Sequence, residues 1–217
     1  MKRSLLFSLF IPVIATAFAQ RQTVELSHYI FPGFTNGTVL MKSGYVYQVL
    51  LNYNAFSQEM IFEDKGKKLA IGKEDKEKLD TVYIMNRKFF VLDGIFVELL
   101  YRSGYELYVE YKCDVKPPGK PAAYGGTSET SSVTTYSGIM SDGMLYDLKL
   151  PEGYVIRPYT IYWLKMDGEV RKFINLKQMT RLFDDRKDQI REYVSTHKVD
   201  YDDQESLINL IKYLEAN

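Results

Sequence analysis

Apolar and polar residues alternate along most of the chain between residues 22 and 114. In the run of residues 45–53, every second side chain is large and apolar, and a strand with one buried face has this period of two. Turn sequences separate such runs, and Asp93-Gly94 is the strongest because both positions of a type I′ turn need a positive φ. We therefore predict up to eight short antiparallel strands, each joined to the next by a tight turn.

The individual turns follow from glycine and polar residues between the apolar runs. We predict turns at residues 42–44, 64–67, 86–87 and 102–104. The last of the strands, residues 105–113, has its apolar residues at odd positions and Glu106, Glu110 and Lys112 on the opposite face. The charged run of residues 63–80 balances both signs, which is typical of a solvated hairpin and loop.

Strand patterns return after residue 144, and helical patterns follow them. Residues 146–150 and 154–166 are predicted strands, and Pro158 indicates a sheet edge or a break because it cannot donate to a ladder. A second strong hairpin turn is Asp167-Gly168. The period then becomes 3.6, with Asn175 as the first cap, a second helical stretch from Asp184-Asp185, and Asp202 or Asp203 as the last cap.

Together these patterns predict an α+β protein. Its main part is an antiparallel β meander, sandwich or barrel-like, followed by two to three carboxyl-terminal helices. We expect an antiparallel β domain at residues 20–115, a loop or linker at 116–144, and a hairpin with helices at 145–217 packed on the same domain. Residues 116–144 are rich in proline, glycine, serine and threonine, so they are either an ordered functional loop or a disordered linker.

The first nineteen residues have the order of features found in a secretory signal peptide. Lys2 and Arg3 precede a mostly apolar run of residues 5–16, and Ala17-Phe18-Ala19 offers a cleavage site. We expect cleavage after Ala19 and export to the periplasm, the outer membrane surface or the extracellular space. No later stretch has eighteen apolar residues, so we expect no transmembrane span.

Composition removes several kinds of chemistry from consideration. The chain has 28 basic and 28 acidic residues, and this balance gives no reason to expect a nucleic-acid partner. With two histidines, one cysteine and no nucleophile-elbow or phosphate-loop motif, we expect no enzymatic activity, no metal and no cofactor. His28 and His197 are interpreted as partly exposed surface residues, and Cys113 as a small buried apolar side chain.

Acidic residues are numerous, but their spacing does not define a catalytic pair. Glu98, Glu106 and Glu110 lie on adjacent predicted strands, where alternation with apolar residues is typical of a solvated sheet face. A hydrolase would need two of them to converge across a cleft. The acids of residues 200–205 lack the glycine of a calcium loop and are explained by helix capping.

Aromatic residues are the one excess, since 18 residues are tyrosine and 12 are phenylalanine. In a β-rich exported protein, exposed tyrosine or tryptophan on one sheet face could bind a glycan. The candidate ligand-binding residues are Tyr124, Tyr136, Tyr159, Tyr162 and Trp163. Strands also favour aromatic residues for packing, and alternation places Trp163 on a face with Ile161, which favours a core position.

Several segments together resemble one group of proteins. They are Leu51-Asn52-Tyr53-Asn54, Glu59-Met60-Ile61-Phe62, Asp80-Thr81-Val82-Tyr83-Ile84, Tyr124-Gly125-Gly126-Thr127-Ser128 and Tyr146-Asp147-Leu148-Lys149-Leu150-Pro151, followed by the final helices. The combination resembles uncharacterised exported proteins of Bacteroidota bacteria and spans most of the chain after the signal. The resemblance implies a bacterial envelope setting and brings no catalytic residues.

The sequence therefore predicts a non-catalytic envelope protein that binds a protein partner or an envelope component. A carbohydrate-binding accessory protein and a carboxylate-dependent hydrolase are the alternatives. The identity of the ligand and the oligomeric state are left open.

Overall fold

The computed structural model describes residues 28–116 and 155–217, with the backbone of two short strands at 120–121 and 127–128. The predicted signal peptide, the predicted strand at 146–150, Tyr124 and Tyr136 lie outside the described residues. The described part confirms the α+β class, because a large antiparallel sheet is followed by helices.

The elements follow one another in two groups of strands and a helical segment. The first group is β1 (Thr35–Met41), β2 (Val46–Asn54), β3 (Glu59–Asp64) and β4 (Lys67–Ala70), followed by the short helix α1 (Lys73–Lys78). The second group is β5 (Leu79–Ile84), β6 (Arg87–Leu92), β7 (Ile95–Arg102), β8 (Glu106–Lys116), β9 (Lys120–Pro121), β10 (Thr127–Ser128), β11 (Val155–Met166) and β12 (Glu169–Phe173). The helices are α2 (Leu176–Arg181), a 3₁₀ turn (Asp184–Arg186), α3 (Lys187–His197) and α4 (Gln204–Ala216).

Ten of the described strands form one sheet in the order β12-β11-β8-β7-β6-β5-β1-β2-β3-β4. The sheet is not closed, and β4 and β12 are its edges among the described strands. The predicted uninterrupted meander is wrong at one point. After β4 the chain crosses back through α1, so that β5 pairs with β1 rather than with β4. The charged run of residues 63–80 therefore contains a strand and a helix, not only a hairpin and a loop.

The turns agree closely with the sequence. Both residues of Asp93-Gly94 and of Asp167-Gly168 have positive φ, as a type I′ turn requires. The predicted turn at residues 86–87 is shifted by one, because β5 ends at Ile84 and β6 begins at Arg87. This shift makes Arg87 a strand residue whose side chain points to one face of the sheet.

Among the described residues, two apolar cores lie against one face of the sheet, and a smaller cluster of Val97, Tyr108 and Trp163 lies against the other. The first belongs to β1, β2, β3, β5, β6 and β7, and its fully buried members include Leu51, Tyr53 and Ile84. The second lies between the helices and β8, β11 and β12, where Leu207 and Leu210 of α4 join Leu164. The Asn175 side chain caps α2 by accepting a hydrogen bond from the backbone N–H of Gln178, and Asp203 caps α4.

The tip of the β2–β3 hairpin docks on β8 and brings the two groups of strands together. The backbone amide of Cys113 donates to the carbonyl of Ala55 at 3.2 Å, and the Tyr53 hydroxyl donates to the carbonyl of Tyr111 at 3.2 Å. These contacts use the part of β8 beyond the residues that pair with β7. The sheet is therefore curved, with β2 and β3 folded towards β8.

Pro158 lies inside β11, and part of the predicted loop region forms two short strands. β11 continues through Pro158, which pairs with Cys113 of β8, while β12 pairs only with Tyr162 to Met166. Pro158 thus lies where β11 has one described neighbour, as an edge position requires. Within residues 116–144, where no packed element was expected, β9 and β10 pair with each other.

Candidate binding site

Glu98 is buried, which corrects the prediction of a solvated face. Nε and Nη2 of Arg87 donate to Oε1 and Oε2 of Glu98 at 2.7 and 2.6 Å, and the Tyr111 hydroxyl donates to Oε2 at 2.6 Å. The Arg87 guanidinium also lies 4.7 Å from the centre of the Phe31 ring. Burial lowers the pKa of Arg87, but its hydrogen bonds to Glu98 outweigh this and raise it above the ordinary value. The Arg87–Glu98–Tyr111 cluster lies between the two cores. The Glu98 carboxylate accepts its hydrogen bonds from the other two members.

Glu110 is also buried, on the opposite face of the sheet. The Trp163 indole donates to its Oε2 at 2.9 Å, and Gln58 of the β2–β3 turn donates to its Oε1 at 2.6 Å. Lys112 lies 3.4 Å from the same Oε1. Burial of a carboxylate is tolerated when its acceptors are filled in this way. Glu110 therefore fixes the hairpin tip to β8.

The carboxylates of Glu98, Glu106 and Glu110 do not converge. Glu98 faces the cores, whereas Glu106 and Glu110 face the other side of the sheet. Glu106 and Glu110 are four residues apart in one strand, which separates their Cα atoms by about 13 Å. Glu106 is itself paired with Arg102 and Lys165. A hydrolase therefore finds no suitable carboxylate pair among these three residues.

The three predicted aromatic residues that the structure describes do not form one exposed surface. Tyr162 and Trp163 are fully buried, and Tyr159 is exposed. The strand pairings place Tyr162 on the helical side and Tyr159 with Trp163 on the other. Alternation correctly indicated a core position for Trp163. A glycan platform built from these three residues is therefore not present.

The two histidines differ, and one prediction is wrong. His197 is exposed and stacks on Tyr193 with ring centres 3.9 Å apart. His28 is buried beside Tyr29, and its Nε2 has no hydrogen-bond partner. Burial, with a contribution from Lys68, lowers the pKa of His28. Cys113 is buried as expected, and burial, followed by the charge of Asp114, raises the pKa of its thiol to about 11.

Two kinds of feature are not found in the part of the chain that the structure describes. There, His, Cys, Asp and Glu side chains form no group of three or more that could hold a metal ion. None of the helices within residues 28–116 and 155–217 combines the length and the apolar character needed to cross a membrane.

An apolar groove lies on the face of the sheet that carries the first core. Its volume is about 300 Å³. The lining residues come from β1, β2, β3, the segment before α1, α1 itself and the first residue of β5. They are Val39, Met41, Tyr47, Val49, Phe62, Ile71, Asp75 and Leu79. We call this the tyrosine groove, and its size lies at the lower end of the range for ligand pockets.

The groove exists because one apolar row of β2 is only half covered. Residues 47, 49, 51 and 53 of β2 share a face, as the sequence predicts, and Tyr45 lies just before the strand. Leu51 and Tyr53 are fully buried, but Tyr47 is 54% exposed and Tyr45 is 71% exposed. Val46 on the other face is 55% exposed. The row therefore continues from the core into solvent at the end of the β1–β2 hairpin.

The charge of the groove is low, and this decides what it can bind. Asp75, in the first turn of α1, is the one ionisable side chain in its lining apart from the tyrosine phenol. Such a surface can bury a large apolar side chain and accept a hydrogen bond or a positive charge at one end. The sequence predicted the row of residues but gave no sign that its outer half is uncovered.

No family model, no curated protein and no solved structure matches this chain.

Proposed function

We propose that this protein is an exported, non-catalytic envelope protein that binds a protein partner through the tyrosine groove. The observation that carries the proposal is the apolar row of β2, which passes from the core to the exposed Tyr47, with the exposed Tyr45 just before the strand. Contiguous exposed apolar surface beside a groove is typical of an interaction site. The amino-terminal signal pattern and the resemblance to exported Bacteroidota proteins support the envelope setting.

A protein segment suits the groove because tyrosine is enriched at protein interfaces. Its ring supplies apolar area while its hydroxyl can still bond to a polar partner. Burying the exposed parts of Tyr45 and Tyr47 would contribute about 5 kcal/mol before the costs of association. Micromolar binding requires about 8 kcal/mol net, so the partner must make further contacts around the groove. We expect it to present a large apolar side chain, with a basic or amide group towards Asp75.

Photo-crosslinking from inside the groove tests the location of the partner. A photoreactive phenylalanine analogue replaces Tyr47 in one protein and Tyr159 in a control, because Tyr159 is an exposed tyrosine on the opposite face. Both proteins are exposed to light in native envelopes. We expect one protein to be crosslinked repeatedly from position 47 and not from position 159. Equal products from both positions would contradict the proposal.

A binding measurement with the captured protein then tests the groove itself. Tyr45→Ala combined with Tyr47→Ala replaces no buried side chain, because both tyrosines are exposed. We expect this variant to weaken binding of the purified partner at least tenfold, while Tyr159→Ala has no effect. Unchanged affinity in the groove variant would end the proposal.

Carbohydrate binding by the tyrosine groove is the outcome that would replace the proposal of a protein partner. The described residues present two exposed tyrosine rings beside the groove, Tyr45 and Tyr47, and flat sugar rings could stack on them. Binding of purified protein to an envelope polysaccharide, abolished by the same double variant, would assign the groove to a glycan instead.

A further inference from the structure

A second groove lies between α2 and α3, on the helical side of the molecule. Its volume is about 420 Å³. Its lining combines apolar or hydroxyl-bearing side chains with cations. The former are Leu176, Thr180 and Val194, and the latter are Lys177, Arg181, Lys187 and Arg191. We call this the basic groove. It contains no acidic side chain in its lining.

The four cations form two rows that face one groove. Lys177 and Arg181 are four residues apart in α2, and Lys187 and Arg191 are four residues apart in α3. Residues at this spacing share a helix face and lie about 6 Å apart. Like charges at this spacing destabilise a helix. An anionic group bound between the rows would relieve this repulsion.

Neutralisation by the chain's own acids is incomplete. Lys187 pairs with Asp184 at 2.6 Å, and Arg191 pairs with Asp188 at 3.0 Å. The two aspartate side chains are 83% and 96% exposed, so these pairs exchange readily with solvent and with a ligand. Within the described residues, Lys177 and Arg181 form no ion pair. The groove thus keeps two uncompensated cations beside two that are weakly paired.

We propose that the basic groove binds an acidic, extended segment of a protein partner. Alternate side chains of an extended chain are 6.6–6.8 Å apart, which is close to the spacing of the cations along each helix. Carboxylates at every second position would therefore meet Lys177 and Arg181 in register. The methylene groups of glutamate side chains would cover Leu176 and Val194. A concave site of this size admits a peptide more readily than a flat lipid surface. This proposal is independent of the tyrosine groove.

Peptide binding by the purified protein tests the assignment. The probe is a fluorescent eight-residue peptide in which glutamate and threonine alternate. The groove variant is Lys177→Glu with Arg181→Glu. The control is Lys65→Glu with Lys67→Glu, which makes the same charge change on the exposed β3–β4 hairpin.

We expect the unaltered protein and the control to bind the peptide equally, and the groove variant to bind at least tenfold more weakly. Affinity should fall between about 50 and about 300 mM salt, because the contact is electrostatic. Equal weakening in both variants would overturn the proposal, because net charge alone would then explain binding. So would the absence of binding, or a preference for inorganic phosphate or for vesicles containing phosphatidylglycerol. Thermal unfolding of each variant verifies that the fold is retained.

Discussion

Gln204, the first residue of α4, donates a hydrogen bond from its side-chain amide to the Tyr111 hydroxyl of β8 at 2.9 Å. That hydroxyl in turn donates to Glu98, which is paired with Arg87. One polar chain therefore joins the helical layer to three strands of the sheet. We therefore expect that removing the charge of Glu98 weakens the contact between the two cores.

Glu98→Gln should destabilise the protein by about 2 kcal/mol. The substitution leaves the Arg87 guanidinium, whose side chain is 30% exposed, without its counter-ion in a mostly buried position. Urea unfolding monitored by circular dichroism measures the loss. Arg171→Gln is the control, because it breaks the exposed pair with Glu169 and should cost less than about 0.5 kcal/mol. Equal effects of the two variants would contradict the role of the buried pair.

Trp163 is the one tryptophan of the chain and reports on the environment of Glu110. Because the indole is buried, its emission should lie at short wavelength in the folded protein and move to longer wavelength on unfolding. Glu110→Leu leaves the indole N–H and Gln58 without an acceptor and should cost about 2 kcal/mol. The exposed Glu192→Leu serves as the control. Native emission equal to that of the unfolded chain would show that Trp163 is exposed.

His28 should make stability fall as pH decreases below its unfolded pKa of 6.5. Burial and Lys68 lower the pKa of His28 in the folded state, so the unfolded chain takes up the proton at higher pH. The contribution of His28 to the free energy of unfolding is therefore fully present above the unfolded pKa. It is lost as the pH falls towards the folded pKa. Urea midpoints between about pH 5.5 and 8 should show this slope in the parent and in His197→Gln. They should lose it in His28→Gln, and an unchanged slope there would refute the explanation.

Gly37→Ala should be destabilising by about 1–3 kcal/mol because the strand leaves no room for a side chain. A Cβ at Gly37 would lie 2.7 Å from Cδ1 of Leu51 and 2.7 Å from the carbonyl oxygen of Tyr83. Gly33→Ala is the matched control, because no atom lies within 4 Å of its Cβ position. Thermal melting compares the two, and an equal Tm would contradict the close approach.

The thiol of Cys113 should be unreactive while the protein is folded. Burial raises its pKa to about 11, so little thiolate is present near neutral pH. We expect no reaction with a disulfide reagent in buffer at about pH 8 and complete reaction in denaturant. Rapid reaction of the folded protein would show that this part of β8 opens.

Local features were predictable because they depend on neighbouring residues. Asp93-Gly94 and Asp167-Gly168 define their turns by the φ values they allow, and Asn175 defines a helix start by its own side chain. The position of β1 between β2 and β5 was not predictable in this way. That position depends on a pairing between distant segments. The helix that makes the crossover, α1, has no apolar stripe from which the sequence could predict it.

The polar clusters show why alternation alone was insufficient. Glu110 occupies a polar position of the pattern, yet β8 lies inside the sheet and is covered on both faces. Its partner Gln58 comes from a distant turn, and Arg87 reaches Glu98 only because the turn begins one residue earlier than predicted. A shift of one residue reverses the face of every side chain in a strand.

The central place of β1 has a consequence for how the chain acquires its fold. β2, β3 and β4 can add to one edge of β1 as soon as they are synthesised. The other edge of β1 stays unpaired until the segment around Tyr83 is made, because Tyr83 pairs with Thr38. Until then an unpaired strand edge is available to other molecules, and such edges promote aggregation. Refolding yield should therefore fall as protein concentration rises, and a holdase acting before residue 84 emerges should protect it.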